Sequence, residues 1–158
     1  MAVEVRPGVW TEVFRALEKQ AQGKGRELLT QLATAIEKQA KTNASNGAHR
    51  YGTRTPASPG QGPAVISGNL RRSITHEPVA ELGLGHWRTR VGTGVGFYPS
   101  YGGRSRTPAN KYGFYLEHAL RNGTTYPFLV PAFKHVTGTG ADALFRAVYG
   151  ERAWKRVF

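Results

Sequence analysis

Beyond residue 41 the chain carries five carboxylates, Glu77, Glu81, Glu117, Asp142 and Glu151. General acid-base chemistry needs two titratable groups held at a defined separation, and these five lack the spacing of a catalytic pair. With cations all around them, they read as surface ion-pair partners of arginine. The five histidines, at 49, 76, 86, 118 and 135, show no zinc-ligand spacing. The absence of cysteine excludes disulfides, thiolate metal sites and a cysteine nucleophile. A Ser-His-Asp triad would have to use Asp142, the single aspartate, and no Gly-x-Ser-x-Gly turn is present. Gly92-Thr-Gly-Val-Gly96 has the glycines of a phosphate loop but neither the following Gly-Lys-Ser/Thr nor a helix signal, so it reads as a bent strand end. An enzyme is not expected, and neither is a cofactor or a metal.

The chemistry that the residues do offer is anion contact. The 158 residues hold 22 Lys plus Arg against 10 Asp plus Glu, a formal charge of +12. Residues 42 to 111 supply most of it: Arg50, Arg54, Arg71, Arg72, Arg88, Arg90, Arg104, Arg106 and Lys111 stand against Glu77 and Glu81. Arginine is the cation suited to bidentate contacts with phosphate or carboxylate, and Tyr51, Trp87, Tyr98 and Tyr101 interleave as stacking groups. The eight arginines are therefore the candidate contact residues, facing either a neighbouring subunit or DNA.

The elements that must carry these residues follow from periodicity. Val13, Leu17 and Ala21, then Leu28, Leu32, Ile36 and Ala40, recur at four-residue steps, which predicts a long amphipathic helix from Val9 to about Lys41. Thr11 is placed to cap its start, and Gly23 and Gly25 weaken its middle by about 1 kcal/mol each relative to alanine, which leaves two helices joined at a kink as the alternative. Residues 42–63 form a Gly/Pro/Arg loop long enough to be functional or mobile. Ser67 is set to cap a short turn that carries Leu70 inward and Arg71 and Arg72 outward. Residues 73–81 and 86–95 read as antiparallel strands joined across Gly83 and Gly85, with Trp87, Thr89 and Val91 on one face and Arg88 and Arg90 on the other. A second Gly/Pro/Arg loop spans 96–111. Asn122-Gly123 marks a turn, and Pro127 to Phe133 opens a final helix with Pro131 in its first turn, interrupted at Gly138 and Gly140. Together they make one α+β domain, 1–158, in which the N-terminal and C-terminal helices pack on a small antiparallel sheet bearing two long loops. No apolar run approaches a membrane span, and the N-terminus lacks the pattern of a secretory signal, so the chain reads as neither membrane-bound nor exported.

Three segments carry a resemblance. Ile66-Ser-Gly-Asn-Leu-Arg-Arg-Ser-Ile74, then Tyr112-Gly-Phe-Tyr-Leu-Glu117, then Pro127-Phe-Leu-Val-Pro-Ala132, following an amphipathic helix, resemble the neck or tail-completion (head-tail joining) proteins of long-tailed bacteriophages. That family's pattern is a Ser/Thr-Gly-x-Leu-Arg-x-Ser segment, a Tyr-x-x-x-Leu/Val-Glu segment usually followed by glycine, and a Pro-Phe-Leu-x-Pro-Ala segment opening a helix. The likeness runs in order over roughly residues 9–136, and on it Leu70 and Ile74 would enter the core while Phe128, Leu129 and Phe133 would pack the last helix onto the sheet. The chain departs from the pattern after Glu117, where His118-Ala-Leu120 stands in place of a glycine-led turn, and in the length of the 96–111 loop.

The resemblance implies a non-enzymatic virion subunit, made in the host cytoplasm. It would form a homo-oligomeric ring, a hexamer, at the capsid-tail junction, bound by head-closure or connector and tail proteins, with DNA passing through the lumen. A tail-terminator ring capping the tail tube is the neighbouring alternative. From a different class, the cationic middle alone would suit a basic nucleic-acid-binding module, although no helix-turn-helix, zinc or RNA-binding signature is present.

Overall fold

A computed structural model of the chain describes residues 9–48, 50, 57–83, 86–94 and 109–149. Side chains are described from Gly23 onward, apart from residues 109, 110, 139, 142 and 145. The four-residue apolar step folds as one continuous 35-residue helix, α1 (Val9–Asn43), which Gly23 and Gly25 do not divide. Thr11 is not its cap. Val9 and Trp10 before it are already helical, so Thr11 lies inside the helix. Ile36 and Ala40 are buried, Leu32 packs against them, and Ala44 extends the same step just beyond the helix end.

The two expected strands form a single ribbon broken in the middle. β1 (Ile74–His76) pairs antiparallel with β4 (Val91–Thr93), and β2 (Ala80–Gly83) pairs with β3 (His86–Arg88). Between the two ladders, Glu77, Pro78 and Val79 oppose Thr89 and Arg90, three residues against two. Pro78 has no N–H to give to a ladder. The gap is closed by Glu77 N–H donating to the Arg90 carbonyl (2.9 Å) and by the Thr89 hydroxyl donating to the Glu77 carbonyl (2.6 Å). Trp87, Thr89 and Val91 lie half-buried towards α1 while Arg88 and Arg90 are exposed, as the alternation predicts.

A short helix, α2 (Asn69–Ser73), precedes β1, and α3 (Ala109–His118) packs against it. Gly113 makes this approach possible: a Cβ there would sit 3.2 Å from both Leu70 Cδ1 and Thr93 Cγ2. After α3 a turn closes through Leu120 N–H to the Thr124 carbonyl and Gly123 N–H to the Leu120 carbonyl. The turn thus lies around Gly123, six residues after Glu117.

The last helix is two helices in series. α4 (Leu129–His135) and α5 (Ala141–Tyr149) are joined by a π-helical turn, Val136–Gly140, which absorbs Gly138 and Gly140 without breaking the chain's helical course. Both helices pack on α1, and the Lys24 ammonium lies 5.9 Å from the Tyr149 ring centroid. The core joins Ile36, Ala40 and Ala44 to Ile74, Phe128, Ala132 and Val136, with Leu70, Val91, Leu116, Leu129 and Leu144 around them.

One expected core residue is not there. Phe133, predicted to pack the last helix onto the strands, is 55% exposed. Leu129, Ala132 and Val136 are the stripe that α4 turns towards α1, and Phe133 stands about 100° round from Ala132, which sets it at the open edge between α4 and the ribbon. Among the described residues no helix is long and apolar enough to cross a membrane.

Candidate interaction surface

Of the three segments that carry the resemblance, the first packs against the second at Gly113, and the second is hydrogen-bonded to the third. In the first, the chain enters α2 through Gly68 at φ 75°, and the Ser67 hydroxyl accepts from Asn69 N–H (3.3 Å). Ser67 therefore caps from one residue further out than expected, with Gly68 at the cap position itself. Arg72 folds back on this turn, its Nη2 donating to the Asn69 side-chain oxygen (2.5 Å) and to the Ser67 carbonyl (3.2 Å). Ser73 is fully buried and donates to the Leu70 carbonyl (2.7 Å).

The second and third segments meet at Glu117. Phe128, Leu129 and Val130 expose the first N–H groups of α4, and Pro127-Phe128 offers no Ser, Thr, Asp or Asn to cap them. Glu117, at the end of α3, supplies the acceptor. Its Oε2 accepts from Phe128 N–H (2.9 Å) and Leu129 N–H (3.0 Å), and its Oε1 accepts from Val130 N–H (2.8 Å). The next residue, Pro131, has no N–H, so the first turn is fully accounted for. From the other side the Asn43 amide donates to the Phe128 carbonyl (2.9 Å), with Asn43 itself held by Gln39 (3.0 Å). The residue that composition marked as a surface ion-pair partner is instead a structural anion at a helix N-terminus, where the dipole favours it. The missing N-cap at Pro127-Phe128 is the sequence signal that could have disclosed it.

Ionisable side chains also meet at Glu37, on α1. Its Oε1 takes Lys41 Nζ and its Oε2 takes His76 Nδ1, each at 2.5 Å, tying α1 to β1. Partial burial works against the charged form, but hydrogen bonds and attraction from Lys41 and His76 outweigh it, and the Glu37 carboxyl is held below its ordinary value. With Glu37 and His76 39 positions apart, sequence spacing gave no sign of the pair. Among the described residues no group of three or more His, Cys, Asp or Glu could hold a metal ion.

The eight candidate arginines do not form one patch of equivalent cations. Arg72 is committed to the Ser67–Asn69 turn, and Arg90 lies 3.9 Å from Glu77. Arg71 and Arg88 are exposed, as is Arg50, which also makes an interaction. Arg54, Arg104 and Arg106 lie outside the described residues, as do most of the 96–111 loop and the middle of the 42–63 loop. The described ends of the latter are anchored: Asn46 N–H reaches the Pro63 carbonyl (3.3 Å), Val65 N–H the Gly47 carbonyl (2.7 Å), and Gly60 N–H the Thr125 carbonyl (2.8 Å).

A feature that sequence reading missed altogether is an open apolar groove of about 380 Å³. Its floor is Leu29, Leu32, Ala33 and Ile36 of α1, one wall is Thr89 and Val91 of the ribbon, and the other is Leu129, Val130, Phe133 and Thr137. Three elements distant in sequence build it, so no single stretch of sequence announces it. No family model, curated protein or solved structure matches the chain.

Proposed function

We propose that this chain is a structural subunit of the head-tail junction of a long-tailed phage, a neck or tail-completion protein that assembles as a ring between the DNA-filled capsid and the tail. The observation that carries this reading is the linkage of the three resembling segments. The Ser67-Gly68 turn seats α2, α2 receives α3 at Gly113, and Glu117 of α3 caps the helix that opens at Phe128. Residues that make the pattern recognisable, Ser67, Gly68, Leu70, Glu117, Phe128 and Pro131, thus have interlocking roles in one scaffold, which supports treating the likeness as that of a fold family and not as a coincidence of short motifs. The exposed arginines Arg71 and Arg88 would then face a neighbouring subunit or the DNA in the lumen, with head-closure or connector and tail proteins above and below. A tail-terminator ring is the alternative position for the same scaffold.

The test is genetic. Virions assembled without this chain are imaged, and DNA-filled heads and tails that fail to join are expected. Normal joining without it would overturn the proposal.

The exposure of Arg71 and Arg88 favours a second reading, a free nucleic-acid-binding module. It requires binding to duplex DNA at about 50 mM salt that weakens with a log-log slope near 0.9 per phosphate neutralised. No binding under those conditions would remove it.

A further inference from the structure

We propose that Asn122 is a site of spontaneous deamidation, in which the Gly123 backbone nitrogen closes a succinimide ring on the Asn122 side chain, while the other Asn-Gly pair, Asn46-Gly47, is held against the same reaction. The nitrogen adds to the side-chain carbon Cγ and gives up its proton to water. The Cγ–Nδ2 bond then breaks as Nδ2 takes up a proton and departs as ammonia. Water opens the ring at either carbonyl, leaving aspartate or isoaspartate. One water is consumed and one ammonia released, so the balance needs no other reactant.

The two pairs share a backbone and differ in the side chain. Both asparagines are exposed and both glycines sit at φ 77°. Both glycine N–H groups donate to a nearby carbonyl, Gly47 to Ser45 (2.8 Å) and Gly123 to Leu120 (2.9 Å), so whatever these bonds cost the attack they cost it alike. In each pair glycine has no Cβ to obstruct the approach of its nitrogen. At Asn46 the amide nitrogen, which is the leaving group, donates to Gln61 Oε1 (3.3 Å) and to the Gly62 carbonyl (3.2 Å). Turning towards the backbone nitrogen breaks both bonds, and the acid formed would set an anion against two acceptors. Asn122 is held the other way round. Thr124 N–H (3.2 Å) and the Thr124 hydroxyl (2.7 Å) both donate to its Oδ1, the oxygen on which negative charge develops as the nitrogen adds. Among the described residues no acceptor holds its Nδ2, which is open to leave.

The two products act differently on the fold. Aspartate at position 122 keeps the acceptor for both Thr124 donors and places a negative charge beside exposed Arg121. Isoaspartate runs the backbone through the former side chain and lengthens it by one methylene. That methylene falls in the turn closed by Gly123 N–H to the Leu120 carbonyl and by Leu120 N–H to the Thr124 carbonyl (2.8 Å). The turn joins α3 to α4, and the next carbonyl, that of Thr125, receives Gly60 N–H from the 42–63 loop. Chemistry at one exposed side chain thus reaches both the anchored loop and the connection between Glu117 and the helix it caps.

The test ages the full chain in mildly alkaline buffer at body temperature and reads each asparagine by peptide mapping, with electron-transfer fragmentation to separate aspartate from isoaspartate. In the folded chain Asn122 is expected to convert about tenfold faster than Asn46, and in guanidinium chloride, where the hydrogen bonds are lost, the two rates are expected to converge. Thr124→Val removes the hydroxyl donor and keeps the N–H, and is expected to slow Asn122 about fivefold, whereas Thr124→Ser should react like the unaltered chain. Equal rates at the two sites in the folded chain, a gap that persists in guanidinium chloride, or a Thr124→Val variant that reacts as fast as the unaltered chain would each overturn the proposal. The comparison of Asn122 with Asn46 needs no substitution, so it decides the matter even where a Thr124 variant fails to fold.

Discussion

Trp87 of the ribbon lies against Gly25 of α1. A Cβ built on Gly25 would fall within 3.0 Å of Trp87 Cη2 and closer still to Cζ3. The glycine that looked like a weak point in the helix is the place where the ribbon's largest side chain can reach the helix backbone. Gly23, one residue pair away and exposed, has nothing within 4 Å of such a Cβ.

The two glycines should therefore respond in opposite ways to alanine. Gly23→Ala is expected to stabilise by roughly 0.5–1 kcal/mol through helix propensity and reduced unfolded-state entropy. Gly25→Ala is expected to lose that gain and cost about 1–2 kcal/mol, because the Trp87 ring must move. Urea unfolding of both, and of Gly25→Ala combined with Trp87→Leu, checks the assignment: the double variant should recover most of the loss.

Glu117 sets a second expectation. Glu117→Ala leaves three N–H groups of α4 without their acceptor and should cost about 2–3 kcal/mol. Glu117→Gln keeps one acceptor oxygen and should cost roughly half as much. A denaturation midpoint unchanged by Glu117→Ala would mean that the carboxylate is not the cap of α4.

These two sites mark what was legible in the sequence and what was not. α1 was readable because Leu28, Leu32, Ile36 and Ala40 repeat a local four-residue step, and the ribbon because Trp87, Thr89 and Val91 alternate with Arg88 and Arg90. Glu117 and Glu37 were not. The partners of Glu117 lie 11 to 13 residues away, and His76, which ties Glu37 to the ribbon, lies 39 away, joined by a tertiary fold that no local pattern encodes. Phe133 was misassigned because an apolar residue beside a core stripe looks the same in sequence whether it is buried or sits on a rim. Residues 54, 104 and 106, part of the cationic reading, lie outside what the structure describes.

Glu37 makes the fold sensitive to acid. Its folded carboxyl ionises below the ordinary value, so its contribution is fully present above about pH 4.3, the unfolded value, and is lost as pH falls through the lower folded value. For a partly exposed cluster this is worth about 1 kcal/mol or less. Stability measured from pH 7 to pH 3 should fall less steeply below pH 4.5 in Glu37→Gln than in the unaltered chain. Parallel curves would show that the contacts to Lys41 and His76 do not couple to folding.

The arginines divide into structural and available cations, and that division is measurable. Arg72 holds the Ser67–Asn69 turn, so Arg72→Ala should cost about 1–2 kcal/mol. Arg71 and Arg88 are exposed on α2 and the ribbon, and their alanine variants should unfold within about 0.5 kcal/mol of the unaltered chain. If DNA runs against this surface, each of these two substitutions should lower the salt slope of duplex binding by about 0.9, with little dependence on sequence. If the surface instead meets protein, the slope stays as it was and the loss appears in assembly with the neighbouring ring. Measuring stability and salt slope on the same three variants separates the two partners, because Arg72→Ala alone is expected to move the first.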